Sequence, residues 1–443
     1  MLEKLQQHIA DQFPFLKESK LLIAISGGLD SVVLTQLLHT LGFDISLAHC
    51  NFNLRDLESD ADEAFVKKIG MDLNLPTFTK SFDTKEYAKT QKTSTQIAAR
   101  ALRYAWFKEL QEEYQFDYVA TAHHLDDNLE TFIINLSRGT GLEGLTGIPA
   151  INKTIVRPLL PFSRQEILDY AKAQHIVWRE DQSNASTKYV RNKIRHQITP
   201  ILKELNPNLL DAFEKTSSYL KGSQQIIDEH IRQIRKDTST TDIYGNVVFD
   251  IAKLKKLPHL NAYLFELLKP YNFTAWNDVA AVFTAQSGKQ VFSKSHRLLK
   301  DRDTMLLTKL PQNSTFSITE ISESTSEVMT PLQLSFKNTS EQEVKTSNAI
   351  YLDRKKLKFP LIIRRWQQGD YFYPTGMQGK KKLSKFFKDE KYSLVDKENT
   401  WLLCSENQIV WVIAKRQDRR FIANRDTATI LKVQLSENSL PTL

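Results

Sequence analysis

Thiols are nearly absent. Cys50 and Cys404 are the two cysteines in 443 residues, and they lie far apart. That excludes a disulfide framework, a paired-cysteine zinc site and a Cys-x-x-Cys redox motif. Long apolar runs are missing too, since no stretch approaches the about 20 residues that span a bilayer. The opening segment, "MLEKLQQHIADQF", is too polar for a secretory signal. There is no internal repeat. These absences lead to the expectation of a reduced, soluble, cytoplasmic protein with no membrane partner. What is present is ordinary globular protein: 41% hydrophobic and 25% charged residues, with length for two or three units that each bury a core. Lys and Arg outnumber Asp and Glu by 60 to 52, a net charge of +8. This basic balance fits a nucleic-acid partner without requiring one.

From residue 21 to about 160, short apolar runs alternate with helical periods. "LLIAI", "DISLAHC", "TFTKSF" and "DYVATAH" read as strands. "SVVLTQLLHTLG", "ESDADEAFVKKIGMDLN", "STQIAARALRYAWFKELQEEY" and "LDDNLETFIINLSRG" read as helices, the third with Ser94 as its N-cap. Four strand–helix units in succession predict an α/β, Rossmann-like parallel sheet with helices on both faces. Ligands then sit beyond the carboxyl ends of the strands. The chain reads as helical to about 235 and mixed to about 310; a Ser-, Thr- and Glu-rich stretch follows, with alternating runs "TFSITEI" and "LQLSF". "AIYLD", "LIIRRW", "IVWVIAK" and "ATILKVQL" predict a small β-rich unit at the end. The expected division is 1–215, a mainly helical middle over 216–315, a linker over 316–349, and a last domain over 350–443.

Four constellations carry chemistry. In "LLIAISGGLDSVVL", Gly27 and Gly28 let backbone N–H groups converge on an oxyanion at a helix N-terminus, and Ser26 and Ser31 add hydroxyls. The lysine of an ordinary triphosphate loop is absent. Asp30 is out of place beside a phosphate unless Mg²⁺ lies between them. In "TAHHLDDNLET", His123 and His124 end a strand, and Asp126, Asp127 and Glu130 open a helix, the last two on one face. A solvated acidic first turn would look the same; the histidines favour a site. Because adjacent strand residues point apart, a shared metal shell for the two histidines is not expected. "RGTGLEGLTGI" holds four glycines, and its backbone must approach something closely. In "EDQSNASTKYVRNKIRHQITP", Arg191, Lys193, Arg195 and His196 make a basic helix.

The Ser-Gly-Gly-x-Asp-Ser loop resembles that of PP-loop enzymes, which cut ATP between its α- and β-phosphates. The four constellations in this order resemble the tRNA(Ile)-lysidine synthetase family. So do "AHCNFNLRDLESDADEAFV", "ARALRYAWF" and "RPLLPFSRQEILDY", together with "IIRRWQQGDYFYPTGMQGKKKLSKFFKDEK" near the end. Two positions depart from that family's pattern: Asn128 stands in place of Gln, and Phe52 in place of a second His.

The resemblance implies an ATP-dependent ligase that joins free L-lysine to carbon 2 of the first anticodon cytidine of an isoleucine tRNA. Residues 1–215 become the catalytic PP-loop domain and 350–443 a tRNA-binding domain. The implied ATP cradle is Ser26, Gly27, Gly28, Leu29, Asp30 and Ser31, with Asp30 on Mg²⁺. His123, Asp126, Asp127 and Glu130 are the implied amino-acid site; Asp30, Arg103, Asp127 and Glu130 are the catalytic candidates. RNA contacts are expected from Arg191, Arg195, Arg364, Arg365, Lys380, Lys381, Lys382 and Lys385. Residues 364–391 carry eight Lys or Arg against three Asp or Glu, interleaved with aromatics. A homodimer is left open. Two rival readings are a PP-loop tRNA thiolase, which needs reactive cysteines, and a non-catalytic RNA-binding protein on a dead nucleotide fold.

Overall fold

The computed structural model describes residues 1–54, 57–180, 190–310, 318–340 and 348–436. They divide into two compact units, Met1–Asp228 and Glu229–Leu443.

The first unit is built on a six-stranded sheet of order β3-β2-β1-β4-β6-β5. Its strands are β1 (Leu21–Ala24), β2 (Ile45–Asn51), β3 (Thr77–Ser81), β4 (Tyr118–Ala120), β5 (Ile151–Asn152) and β6 (Ile155–Val156). All pairings are parallel except the β5–β6 hairpin at the edge. The four strands expected from the sequence are present; the two-residue pair was too short to show a period. Leu21, Leu22 and Ile23 of β1 are wholly buried, as a strand covered on both faces requires. Leu34 and Leu37 of the Leu29–Thr40 helix pack on one face, and Trp106 and Phe107 of the Thr95–Tyr114 helix on the other. Ser94 caps that last helix as expected: its Oγ accepts the Ile97 N–H at 3.3 Å. β1 lies between β2 and β4, so the connections leave it in opposite directions. The crevice that opens there, at the carboxyl edge, is the ligand position of such sheets.

The second unit begins with the end of the Leu209–Thr238 helix. The middle region is helical as expected, and it also carries a five-stranded antiparallel sheet. Val247–Asp250, Thr304–Lys309 and His296–Asp301 are its central strands, and Leu264, Leu267 and Val279 cover it from the helices. Strands Ala349–Asp353, Leu361–Arg365, Gln408–Val412 and Ile430–Leu435 form the β-rich end. Within the stretch read as a linker, Thr319–Ile321 pairs with Leu361–Ile363 and Leu334–Thr339 pairs with Ile430–Leu435. The described parts of the alternating runs thus contribute to sheet strands at 319–321 and 334–336, while residues 315–317 lie outside the described residues; low helix propensity had made the segment resemble a tether. No described helix is long and apolar enough to cross a membrane.

One helix start sets a side chain of the crevice. Ser163 Oγ accepts the Glu166 N–H at 3.2 Å and Glu166 accepts the Ser163 N–H at 2.8 Å, a reciprocal cap that fixes Arg164 in the first turn. Ser163→Ala should cost about 1 kcal/mol in the denaturant transition of the first unit. An unchanged midpoint and slope would show that the cap contributes nothing.

Candidate active site

Three segments meet in the crevice. The first leaves β1 through Ser26, Gly27 and Gly28 into the Leu29–Thr40 helix. Gly27 has φ of +88°, a left-handed conformation that a side chain disfavours. Ser31 Oγ accepts the Ser26 N–H at 3.1 Å and donates to the Gly28 carbonyl at 3.0 Å, so the serines brace the loop. Arg179, which no local sequence pattern marks, donates its backbone N–H to the Gly27 carbonyl at 3.0 Å. The first-turn N–H groups of the helix have no intrahelical acceptor and converge on the loop, an anion site by construction. Leu29 lends its backbone only, because its side chain lies in the core.

Asp30 lies in the first turn of that helix. Its side chain is 24% exposed, and Arg164 Nη1 donates to its Oδ2 at 3.2 Å. Burial pushes its carboxyl above the ordinary range, against the pull of His124 and Arg164. Its Oδ1 is buried with no hydrogen-bond partner.

The second segment follows β4. His123 Nδ1 lies 2.9 Å from Thr121 Oγ1, and burial pushes its pKa down to about 4, so the ring is neutral near pH 7. His124 is 1% exposed, with Nε2 3.7 Å from Asp30 Oδ2 and 3.4 Å from Asp127 Oδ2. The two histidines thus serve different partners. Among the described residues, no group of three or more His, Cys, Asp or Glu could hold a metal ion. Asp127 Oδ2 accepts the His124 N–H at 3.2 Å, and Glu130, one turn on, is 2% exposed.

The third segment is the basic helix. RNA contacts were expected from its Arg191 and Arg195. Arg195 Nε donates to Glu130 Oε1 at 2.6 Å, and its Nη2 donates to Glu130 Oε2 and Asp127 Oδ1, both at 3.0 Å. Arg191 Nη2 donates to Thr131 Oγ1 at 2.7 Å and its Nε lies 3.4 Å from Glu130. Lys203 Nζ donates to Asp126 Oδ1 at 2.9 Å. The pairing has a simple cause: carboxylates this deeply buried must be paired, and this helix carries the cations that reach them. Arg195 sits on a five-residue π turn, Ile194–Ile198, a bulge that re-aims side chains. Burial raises the Glu130 carboxyl above its ordinary value, against Arg195. Burial would raise Asp127 too, but His124, His123, Arg191 and Arg195 outweigh it and hold that group low. Residues 181–189, part of the motif quoted for this helix, lie outside the described residues.

Arg103 stands apart from the acidic helix, exposed at the end of β2, with its guanidinium 5.3 Å from the Phe52 ring. Asn128 replaces Gln without losing a polar role: its Oδ1 accepts the Ile148 N–H at 2.6 Å and ties down the end of the glycine loop. Burial pushes the Cys50 thiol up to about 12 and the Cys404 thiol up to about 11.

In the last domain, Arg364 is locked on Asp370 by two bonds of 2.8 Å, and Lys381 on Asp389 at 2.8 Å. Arg365 lies with its guanidinium 3.8 Å from the Trp401 ring. Those three of the cations expected to contact RNA each have a partner within the fold. Lys380, Lys382 and Lys385 are exposed; Lys380 and Tyr371, with Arg420 over Tyr373 at 4.3 Å, present a basic, aromatic face. Phe386 and Phe387 are core.

A phosphate cradle without a triphosphate lysine, on a parallel sheet with its crevice beside β1, defines a PP-loop nucleotide-binding protein. Residues 1–202 match the PP-loop domain model, residues 243–310 the TilS substrate binding domain and residues 361–435 the TilS substrate C-terminal domain. The chain is 40% identical to the tRNA(Ile)-lysidine synthase of Parabacteroides distasonis, an alignment covering 96% of this chain and 97% of that one. It is 39% identical to the enzyme of that name from Porphyromonas gingivalis (90% of each chain) and 37% to that from Bacteroides thetaiotaomicron (97% and 98%). The chain belongs to the tRNA(Ile)-lysidine synthase family, and it is an ATP-using ligase.

Because burial already disfavours the charged form of Asp30, Asp30→Asn should leave thermal unfolding within about 1 kcal/mol of wild type. If its charge serves the nucleotide, turnover should fall by roughly 100-fold or more. Wild-type turnover in the variant would remove Asp30 from the chemistry.

Proposed function

We propose that this chain joins the side-chain amine of free L-lysine to carbon 2 of the cytidine at the first anticodon position of an isoleucine tRNA. In the first step the oxygen on carbon 2 attacks the α-phosphorus of ATP and pyrophosphate leaves. In the second, the lysine amine attacks carbon 2 and AMP departs with that oxygen. The product, lysidine, pairs with A instead of G, which moves the tRNA from methionine to isoleucine decoding. One observation carries the reading. The phosphate cradle and the acidic pair face one crevice, with His124 Nε2 3.7 Å from Asp30 Oδ2 and 3.4 Å from Asp127 Oδ2.

The cradle from Ser26 to Ser31 holds the pyrophosphate end of ATP. Mg²⁺ fits at Asp30: a buried, unpartnered Oδ1 faces the loop, and magnesium is commonly held by one carboxylate and substrate phosphates. When bound, the ion offsets phosphate charge. Arg103 supplies a cation on the β2 side for the charge that develops at phosphorus. Asp127 and Glu130 draw the cationic amino acid. An ammonium is no nucleophile, so a proton must go, and Glu130 with its raised pKa is the acceptor. Arg195 beside Glu130 disfavours a second positive charge there, which further promotes the neutral amine. The two protonated thiols argue against the thiolase reading, since sulfur transfer needs a thiolate. The intact Asp30, Ser31 and Asp127 argue against a dead fold.

Asp127→Asn and Glu130→Gln should each raise KM for lysine more than KM for ATP in steady-state modification assays. Glu130 accepts a proton only when ionised, and its pKa is raised. The acid limb of kcat/KM for lysine should therefore lie above the ordinary glutamate range and vanish in Glu130→Gln. A change confined to ATP would reassign the carboxylates to the metal.

Replacing Lys380, Lys382 and Lys385 together with Ala should weaken tRNA binding. The slope of log affinity against log salt should flatten by roughly one unit for each phosphate that a lysine no longer neutralises. Phosphate contacts do not read bases, so an isoleucine and a methionine tRNA should weaken alike. Unchanged affinity at every salt concentration would make these lysines a solvated face.

A further inference from the structure

The middle and last domains flank a stretch read from sequence as a linker, yet both fall in one compact unit. Their joint starts from the middle domain's antiparallel sheet, which is apolar on both faces. Leu298, Met305 and Leu307 belong to the core under that domain's own helices. The alternate residues Val248, Leu306 and Leu299 stand opposite one another on three adjacent strands and face the other way. Antiparallel sheets commonly leave one face to water. Here Leu299 is wholly buried, and Leu394 and Val395 of the Leu394–Asn399 helix in the last domain cover this row. Polar contacts rim the apolar patch. Arg297 Nη1 and Nη2 donate to Glu398 Oε1 and Oε2 at 2.8 and 2.7 Å, a two-pronged fork. Arg297 Nε donates to Thr308 Oγ1 on the neighbouring strand at 3.2 Å, which sets the plane of the fork. Arg302 Nη2 donates to the Lys391 carbonyl at 3.1 Å, and Tyr244 OH donates to Asp396 Oδ1 at 3.4 Å. With the Arg297 side chain 14% exposed, salt screens this fork less than it screens a surface pair.

Both domains carry exposed cations: Lys255, Lys256, Lys289 and Lys294 on the middle one, Lys380, Lys382 and Lys385 on the last. Two basic sets held at a constant spacing bind one long polyanion better than two sets that swing independently, because the second contact is already in place when the first forms. We propose that Arg297 and Glu398 are positioning residues, whose ion pair clasps the last domain onto the middle domain so that both basic sets meet one tRNA together. This rests on the reading above that tRNA is the substrate and that Lys380, Lys382 and Lys385 grip its phosphates. Arg297, committed to Glu398 and Thr308, acts through the joint and not through the RNA.

The test is a set of isoleucine tRNA affinities measured on the full chain at fixed salt, with melting curves to confirm folding. Arg297→Met and Glu398→Ala should each weaken tRNA binding by roughly tenfold, a share of the about 10²–10⁴ that linkage at the right span supplies. The double variant should bind no more weakly than the weaker single one, because the same ion pair is lost in each. Added to the replacement of Lys380, Lys382 and Lys385 with Ala, either change should cost nothing further. KM for ATP should not move. The Glu398 side chain is 45% exposed, so its replacement keeps the test alive if Arg297→Met fails to fold. Wild-type tRNA affinity in Glu398→Ala overturns the clasp, as does an additive loss in the double variant or a full further loss in the lysine-free background. If the lysine replacements themselves leave affinity unchanged, the basic face falls and the clasp with it; a lysine effect without a Glu398 effect overturns the clasp alone.

Discussion

Burying carboxylates is the constraint on which the first unit's crevice depends. Asp30, Asp126, Asp127 and Glu130 converge where β1 and β4 part, and like charges this close and this dry would not stay ionised unaided. Arg164, Arg195, Lys203 and the ring of His124 offset them from three different segments. The result is asymmetric. Burial would lift Asp126 too, yet the Arg164 N–H and Lys203 hold it low; Asp127 is likewise low, whereas Asp30 and Glu130 are high. Neighbouring acids pushed to opposite sides of their ordinary values can divide the work of holding charge and moving protons.

The same constraint explains which parts of the site could be read from sequence. The cradle, the acidic turn and the Ser94 cap are local patterns, each complete within a few residues. The pairing of Arg195 was not legible because its partners lie 65 and 68 residues away, and no period links them. The partners of Arg364 and Lys381 were hidden in the same way at shorter range, since a basic residue declares its charge but not whether an aspartate already holds it. In the fold, the buried β1 was plain, the two-residue β5 and β6 were not, and the strands of 319–339 showed only as alternating runs in a stretch read as a linker. Their pairing partners come from elsewhere in the chain, and short strands carry little signal of their own.

The two units divide their charge differently. In the crevice, cations face carboxylates at close range and burial makes each pairing strong. On the last domain, Lys380, Lys382 and Lys385 stay in solvent, where salt screens them. Binding through the latter should respond to ionic strength and chemistry through the former much less, so the two contributions separate by salt alone.

Asn128 has a consequence for how this sequence can drift. Its Oδ1 would lie 2.1 Å from a side-chain carbon placed on Gly147, whose φ is +81°. An alanine at 147 is therefore barred twice, by backbone and by contact. Because Asn128 shares a helix with Asp127 and Glu130, relief cannot come from shifting that helix without moving the carboxylates. Position 147 is hostage to the acidic turn: relaxing position 128 alone would lift the steric bar, while the left-handed backbone would still select glycine.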